Sequence, residues 1–225
     1  MPTQKQDAYK HVLDELGVET DLAPEDSAAM TDEVGFGFYY QPNFAPAIDA
    51  LSDRRAAMGV RTFVNTIETL ANPAEASTHL GSFYHLPYAV RIIETFQEAR
   101  SSDVERVLMF QGMEGYDDIR PGSTTVAEWS GGDVDDYTIE TPDYGMDFEE
   151  ETLGVEDVAG ESAEITEAVL TGEREGSFAY AVALNAALRI YAGEDADSIE
   201  DGLDQAREAI DSGAAADRLY ALREF

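Results

Sequence analysis

The sequence predicts an α/β fold, a mostly parallel sheet flanked by helices, and three observations carry that expectation. Residues 79–110 run strand, helix, strand with short joints, which is the signature of a βαβ unit whose two strands lie parallel. On both sides of that unit apolar residues recur at helical spacing, over 6–71 and again over 162–223. At 225 residues the chain is long enough to bury a sizeable core as one medium domain, or as one domain with part of another.

Each element has its own reason. Residues 6–16 form a helix with Val12, Leu13 and Leu16 on one side, closed by Gly17. Pro24 opens a second helix over 24–33, at a position where its missing N–H costs nothing. Gly35-Phe36-Gly37-Phe38-Tyr39-Tyr40 reads as a short buried strand whose glycines allow close backbone or ligand approach. Helices are expected over 43–58 and 62–71, broken at Gly59, with Asn72-Pro73 ending the second. A strand at 79–84, a helix at 87–99 and an apolar strand at 106–110 complete the βαβ unit. Strands at 124–129 and 137–139, joined through Ser130-Gly131-Gly132-Asp133, read as a hairpin. The remainder is helical, over 162–170, 177–191, 198–212 and 214–223. Ser198-Ile199-Glu200-Asp201 has the capping-box form.

Charge is the largest compositional signal. Against 47 Asp and Glu stand 14 Lys and Arg, a formal net charge of −33, and only Lys5 and Lys10 are lysines. The acids are spread along the chain among 44% hydrophobic residues, which is the pattern of a folded domain with a halophilic surface rather than a disordered acidic tail. At molar salt the Debye length is about 3 Å, so carboxylate repulsion is screened. A merely acidic cytosolic surface is the alternative. No basic stripe is present to meet a phosphate backbone, which argues against nucleic-acid binding.

The absence of Cys excludes disulfides, zinc–thiolate sites and thiol nucleophiles. The N-terminus has no apolar leader core, and acids interrupt every hydrophobic run before it reaches membrane-spanning length. The expectation is a protein outside the membrane, in the cytoplasm.

Chemistry is most concentrated in Gln111-Gly112-Met113-Glu114-Gly115-Tyr116-Asp117-Asp118, directly after the apolar strand. Ligands of open α/β sheets bind beyond the carboxyl ends of parallel strands. Carboxylates there suit a hard cation such as Mg²⁺, which needs one or two of them plus phosphate oxygens. In so acidic a chain, the same triplet also reads as an ordinary solvated loop. Arg54 and Arg55 could cap a helix end or clamp a carboxylate or phosphate. His11 reads as solvated, while His79 and His85 flank a strand as structural hydrogen-bonders or pocket residues. No nucleophile elbow is present.

Taken in order, these residues resemble the anthranilate phosphoribosyltransferase family (glycosyltransferase family 3). The resemblance rests on Glu33-Val34-Gly35-Phe36-Gly37-Phe38, Pro42 and Pro46-Ala47; on Arg55, Gly59, Arg61-Thr62, Asn65 and Asn72-Pro73-Ala74; on Gly112, Glu114, Gly115, Asp117 and Asp118; and on Val126-Ala127-Glu128, Pro142, Tyr144-Gly145 and Leu184-Asn185-Ala186-Ala187. It implies a large α/β domain over 76–225 and remnants of a small helical domain with hinge segments over 1–75, the strand near 36–40 joining the sheet. It also implies a pentosyltransferase that moves a phosphoribosyl group from phosphoribosyl diphosphate to an aromatic amine such as anthranilate, in tryptophan biosynthesis. Mg²⁺ would be held by Glu114, Asp117 and Asp118, and Arg55 would face the acceptor's carboxylate. No general acid or base is nominated, because such a displacement needs its leaving pyrophosphate neutralised more than it needs a strong base.

Two departures qualify what the resemblance implies. The family's Gly-Thr-Gly-Gly-Asp phosphate loop would lie upstream of Met1, so the expectation is an N-terminally truncated chain with an incomplete site. Ala45 stands where the family has a His before Pro46, and Gln111 replaces another His. Both Gln111 and Met1-Pro2-Thr3 with Lys5 bring the chain closer to a paralogous, non-tryptophan branch. A non-catalytic binding protein of that branch, taking nucleic acid or another ligand, is therefore the alternative, and a homodimer through the helical domain is the expected assembly.

Overall fold

The computed structural model describes residues 9–59, 63–99, 102–111 and 118–225. The elements in chain order are α1 (Tyr9–Glu15), α2 (Pro24–Val34), α3 (Gln41–Phe44), α4 (Pro46–Asp49), α5 (Ser52–Met58), α6 (Phe63–Thr69), β1 (Thr78–Phe83), α7 (Leu86–Glu98), β2 (Arg106–Gln111), β3 (Ser123–Trp129), β4 (Asp135–Glu140), α8 (Val158–Leu170), α9 (Ser177–Ala192), α10 (Ile199–Asp211) and α11 (Ala214–Glu224). The chain divides into two compact units: Met1–Ala74 with Val155–Arg174 and Ile210–Phe225, and Glu75–Gly154 with Glu175–Ala209.

The first unit is helical. Leu16, Val18, Met30, Val34, Ala163, Leu219 and Leu222 form its buried core, so α8 and α11 belong with α1 and α2. The α/β domain expected over 76–225 includes both α8 and α11, and the structure places them instead in the helical unit. Their assignment is set by partners about 150 to 200 residues away, which local periodicity does not identify. Arg223 ties the unit together: it forms a two-pronged pair with Glu167 at 2.7 and 2.8 Å, and its Nε donates to the Leu16 carbonyl at the end of α1.

Two expectations fail in this unit. Residues 36–40 form no strand and join no sheet. The Phe38 carbonyl accepts from Ser27 Oγ at 3.0 Å and Tyr39 Oη meets Thr31 Oγ1 at 3.1 Å, so the segment lies along α2. Gly37 permits this approach, since a Cβ there would sit 2.8 Å from the Ser27 carbonyl and collide with Thr31 Oγ1. The helix expected over 43–58 is three short pieces; the first break arises because Pro46 drives Ala45 to φ −132°, ψ 59° and interrupts the ladder.

The second unit holds a four-stranded sheet in the order β1-β2-β3-β4. β1 and β2 run parallel, from Thr78↔Arg106 to Phe83↔Gln111, joined through α7. β2–β3 and β3–β4 are antiparallel. The sheet is thus mixed rather than mostly parallel among the described residues. The βαβ signature determines only the first pair; β3 runs opposite to β2, and the hairpin, turning at Gly131 (φ 90°), brings β4 back antiparallel to β3. Helices cover both faces. Leu108 and Phe110 join Val126, Ile139, Leu184, Ala187 and Leu188 in a core under α9. On the other face α7 packs on β1, β2 and β3, with Phe96 against His79. Coverage on both sides explains why β2 is a continuous buried run. In turn α10 lies close on α9, because Gly202 has no Cβ to meet the Ala187 carbonyl, 2.7 Å from where one would stand. Ser198 Oγ accepts from the Asp201 N–H at 3.1 Å, as the capping pattern predicts.

Candidate active site at the carboxyl ends of the parallel strands

The two parallel strands end together at Phe83 and Gln111. After β1 the chain turns through Tyr84 and His85, whose rings meet edge to face at 4.6 Å, and Gln111 Nε2 reaches back to the Tyr84 carbonyl at 3.5 Å. His85 is the N-cap of α7, so the amino end of a 13-residue helix opens at this edge. Its first turn carries no acid, in a chain with 47 of them. Pro87 has no N–H and the Tyr88 N–H donates to the His85 carbonyl at 2.8 Å, so it is chiefly the positive end of the helix dipole that favours an anion here.

Glu114 and Asp117 lie outside the described residues, and Asp118 resumes the description as an exposed carboxylate. Ile119 follows, 1% exposed in the core under α9. Asn185 of α9 grips the backbone of Ile119 at both of its polar groups: the Ile119 N–H donates to Asn185 Oδ1 at 2.7 Å, and Asn185 Nδ2 donates to the Ile119 carbonyl at 3.0 Å. The same Nδ2 also donates to the Ala181 carbonyl one turn earlier, at 3.0 Å. The backbone directly after Asp118 is therefore held at both peptides that flank Ile119. Sequence reading noted Asn185 only within a motif of the resemblance. A polar residue interrupting the apolar face of an otherwise hydrophobic helix was the available signal.

Arg55 belongs to α5 of the helical unit, and its side chain lies outside the described residues, while Arg54 is exposed. His79 packs on Phe96 in the layer under α7, and His11 is exposed on α1. Among the described residues no three His, Cys, Asp or Glu come together as a metal cluster. A carboxylate such as Asp118, exposed in the chain after β2, is the donor type that a hard cation takes.

The other end of β2 carries a charged network that sequence reading did not find. Arg106 Nε donates to Glu128 Oε1 at 3.1 Å, and Arg106 Nη1 donates to the Tyr191 carbonyl at 2.9 Å. Tyr137 Oη donates to Glu128 Oε2 at 3.0 Å, Tyr191 Oη lies 3.3 Å from the same atom, and the guanidinium stacks on the Tyr191 ring at 4.5 Å. Burial, and then the Glu128 charge, push the Tyr137 hydroxyl well above its usual range. Burial would lower the Arg106 pKa, but the hydrogen bond and charge of Glu128 outweigh it and raise it. Every donor of this network is engaged with the protein, which makes it a structural joint between three strands and a helix.

The a/b domain model of the glycosyl transferase family matches residues 10–216. Anthranilate phosphoribosyltransferase of Natronomonas pharaonis is 36% identical over 216 residues, 95% of this chain and 63% of the relative. That of Dechloromonas aromatica is 38% identical over 209 residues, 92% of this chain and 60% of the relative. The chain thus spans less than two thirds of the length of these relatives. Among solved structures, anthranilate phosphoribosyltransferase from Thermus thermophilus superposes with a TM-score of 0.85 at 29% identity, covering 99% of this chain and 65% of that one. The Saccharomyces cerevisiae enzyme in complex with PRPP and Mg superposes at 0.81 with 19% identity, over 96% of this chain and 62% of that one, a likeness of fold. No described helix is long and apolar enough to cross a membrane.

Proposed function

This chain belongs to the glycosyl transferase family, and from that membership we propose that it serves phosphoribosyl transfer from phosphoribosyl diphosphate to an aromatic amine of the anthranilate type. The observation that carries the reading is the common carboxyl edge at which β1 and β2 end. An exposed Asp118 follows β2, and an acid-free helix terminus follows β1 at the same edge. A diphosphate gains from both features, a metal-holding carboxylate and the positive end of a helix dipole.

In this reading Asp117 and Asp118, with Glu114, hold Mg²⁺, and Arg55 receives the acceptor carboxylate. The bound cation would neutralise charge on the leaving pyrophosphate. The acceptor nitrogen attacks the anomeric carbon as the bond to pyrophosphate oxygen breaks; pyrophosphate leaves with the electron pair, and the nitrogen's proton passes to solvent. No strong base is required, so positioning and charge stabilisation do the catalytic work. The alternative of a nucleic-acid-binding paralogue is not carried forward, since the relatives are named as transferases and the net charge of −33 opposes a phosphate backbone.

The double substitution Asp117→Asn with Asp118→Asn is expected to abolish Mg²⁺-dependent binding of phosphoribosyl diphosphate in calorimetry, and Arg55→Ala to weaken anthranilate binding alone. Unchanged isotherms would remove these residues from the site. The acidic surface fits a halophilic protein: refolding yield should climb with KCl from about 0.1 M to molar levels as the Debye length falls from about 10 to about 3 Å, and a flat profile would refute that assignment.

A further inference from the structure

We propose that Asn185 is a positioning residue for Asp118, orienting its backbone by gripping the N–H and the carbonyl of the next residue, Ile119; this rests on the phosphoribosyl-transfer reading above. Asn185 is placed mid-helix on α9, where a primary amide gains nothing from the helix itself beyond the bond to the Ala181 carbonyl. Its remaining capacity goes to one residue, Ile119, accepting from the N–H at 2.7 Å and donating to the carbonyl at 3.0 Å. These two groups belong to successive peptides, Asp118–Ile119 and Ile119–Arg120, so the contact orients the backbone on both sides of Ile119, which a single hydrogen bond or an apolar contact would not. The Ile119 side chain is already anchored in the core with Leu184 and Leu188. Hydrophobic burial alone therefore keeps this stretch of chain in place, and the amide contributes orientation. The residue oriented is Asp118, one bond upstream and exposed. A carboxylate that must meet a cation with near-octahedral demands gains from a rigid backbone directly behind it. Asn185 touches neither metal nor substrate in this scheme and acts through Ile119.

The test uses the full chain with Asn185→Leu, which keeps volume and removes both bonds, and Asn185→Asp, which keeps an acceptor for the Ile119 N–H and loses the donor. Each is titrated with Mg²⁺ at fixed phosphoribosyl diphosphate, and separately with the metal-free diphosphate, while amide exchange is followed at Ile119. The expected result is a rise of about tenfold or more in the Mg²⁺ concentration at half-saturation for Asn185→Leu, with a smaller rise for Asn185→Asp. Metal-free affinity should be unchanged, and Ile119 exchange should be faster in both variants. Equal Mg²⁺ half-saturation in all three proteins would overturn the assignment. So would a parallel loss of metal-free affinity, which marks general damage. Should Asn185→Leu not fold, Asn185→Asp and the Ile119 exchange rate decide alone. Absence of any Mg²⁺-dependent binding by the unsubstituted chain overturns the transfer reading and this assignment together, and is recognised before any substitution is made.

Discussion

Replacing Glu128 by Leu should be among the most damaging single substitutions in the α/β unit. The Arg106 and Glu128 side chains are 11% and 12% exposed, so the Arg106 charge would be left largely desolvated with only the Tyr191 and Ala192 carbonyls as acceptors. Tyr137 and Tyr191 would each lose the carboxylate they now reach. Breaking a buried pair by removing one partner costs about 3–5 kcal/mol, and the residual exposure points to the lower end of that range. At about 2–4 °C per kcal/mol for a chain of this size, the midpoint should fall by roughly 6–15 °C. Trp129, the only tryptophan, follows Glu128 in β3 and reports the unfolding of this unit directly by fluorescence. Urea is the denaturant of choice, because it leaves ionic screening constant. Arg106→Met should cost about as much, since it strands the carboxylate instead. The double substitution Arg106→Met with Glu128→Leu should cost far less than the sum, because no unpaired charge remains. A loss below about 1 kcal/mol for Glu128→Leu, or a strictly additive cycle, would show that the pair is solvated and the network incidental.

Thr124 has a fully buried hydroxyl with no hydrogen-bond partner among the described residues, so Thr124→Val should stabilise the sheet by about 1 kcal/mol. A lower urea midpoint for Thr124→Val would mean that the hydroxyl is satisfied. Glu167 has its pKa held below the ordinary 4.5, chiefly by its hydrogen bond to Arg223, so its contribution is present above that value and lost as pH falls through the folded pKa. The stability difference between the unsubstituted chain and Glu167→Gln should therefore be constant from pH 7 to about 5 and shrink as pH falls below 4.5 towards the folded pKa; a difference that grows on acidification would contradict the pairing.

What was legible in the sequence is what depends on neighbours in sequence. Helix starts at Pro24 and Ser198, the apolar run of β2 and the glycine turn of the hairpin are local chemistry, and each element formed where that chemistry requires. Residues 36–40 were misread because alternating glycine and aromatic residues suit a strand, yet strandness needs a partner edge. Ser27 and Thr31 satisfied the segment first. Ala45 and Pro46 were misjudged for a different reason, since the break there is local and the rule restricting the residue before proline predicts it.

The candidate site divides along the same line. Asp118 could be nominated from sequence because a carboxylate just after an apolar strand is a local pattern. Its support could not: Asn185 lies 66 positions from Ile119, and a lone Asn within an alanine-rich helix carries no sign of what it will grip. Arg106 and Glu128 are 22 positions apart and become a pair only when β2 and β3 align with Leu108 opposite Glu128. The groups that do chemistry must face solvent and substrate, so they stand out against an apolar background in the sequence itself. The groups that orient them are satisfied internally by contacts that exist only once the chain has folded. Substitutions at Asn185 should therefore separate metal dependence from folding, whereas substitutions at Glu128 should move stability with little effect on metal dependence.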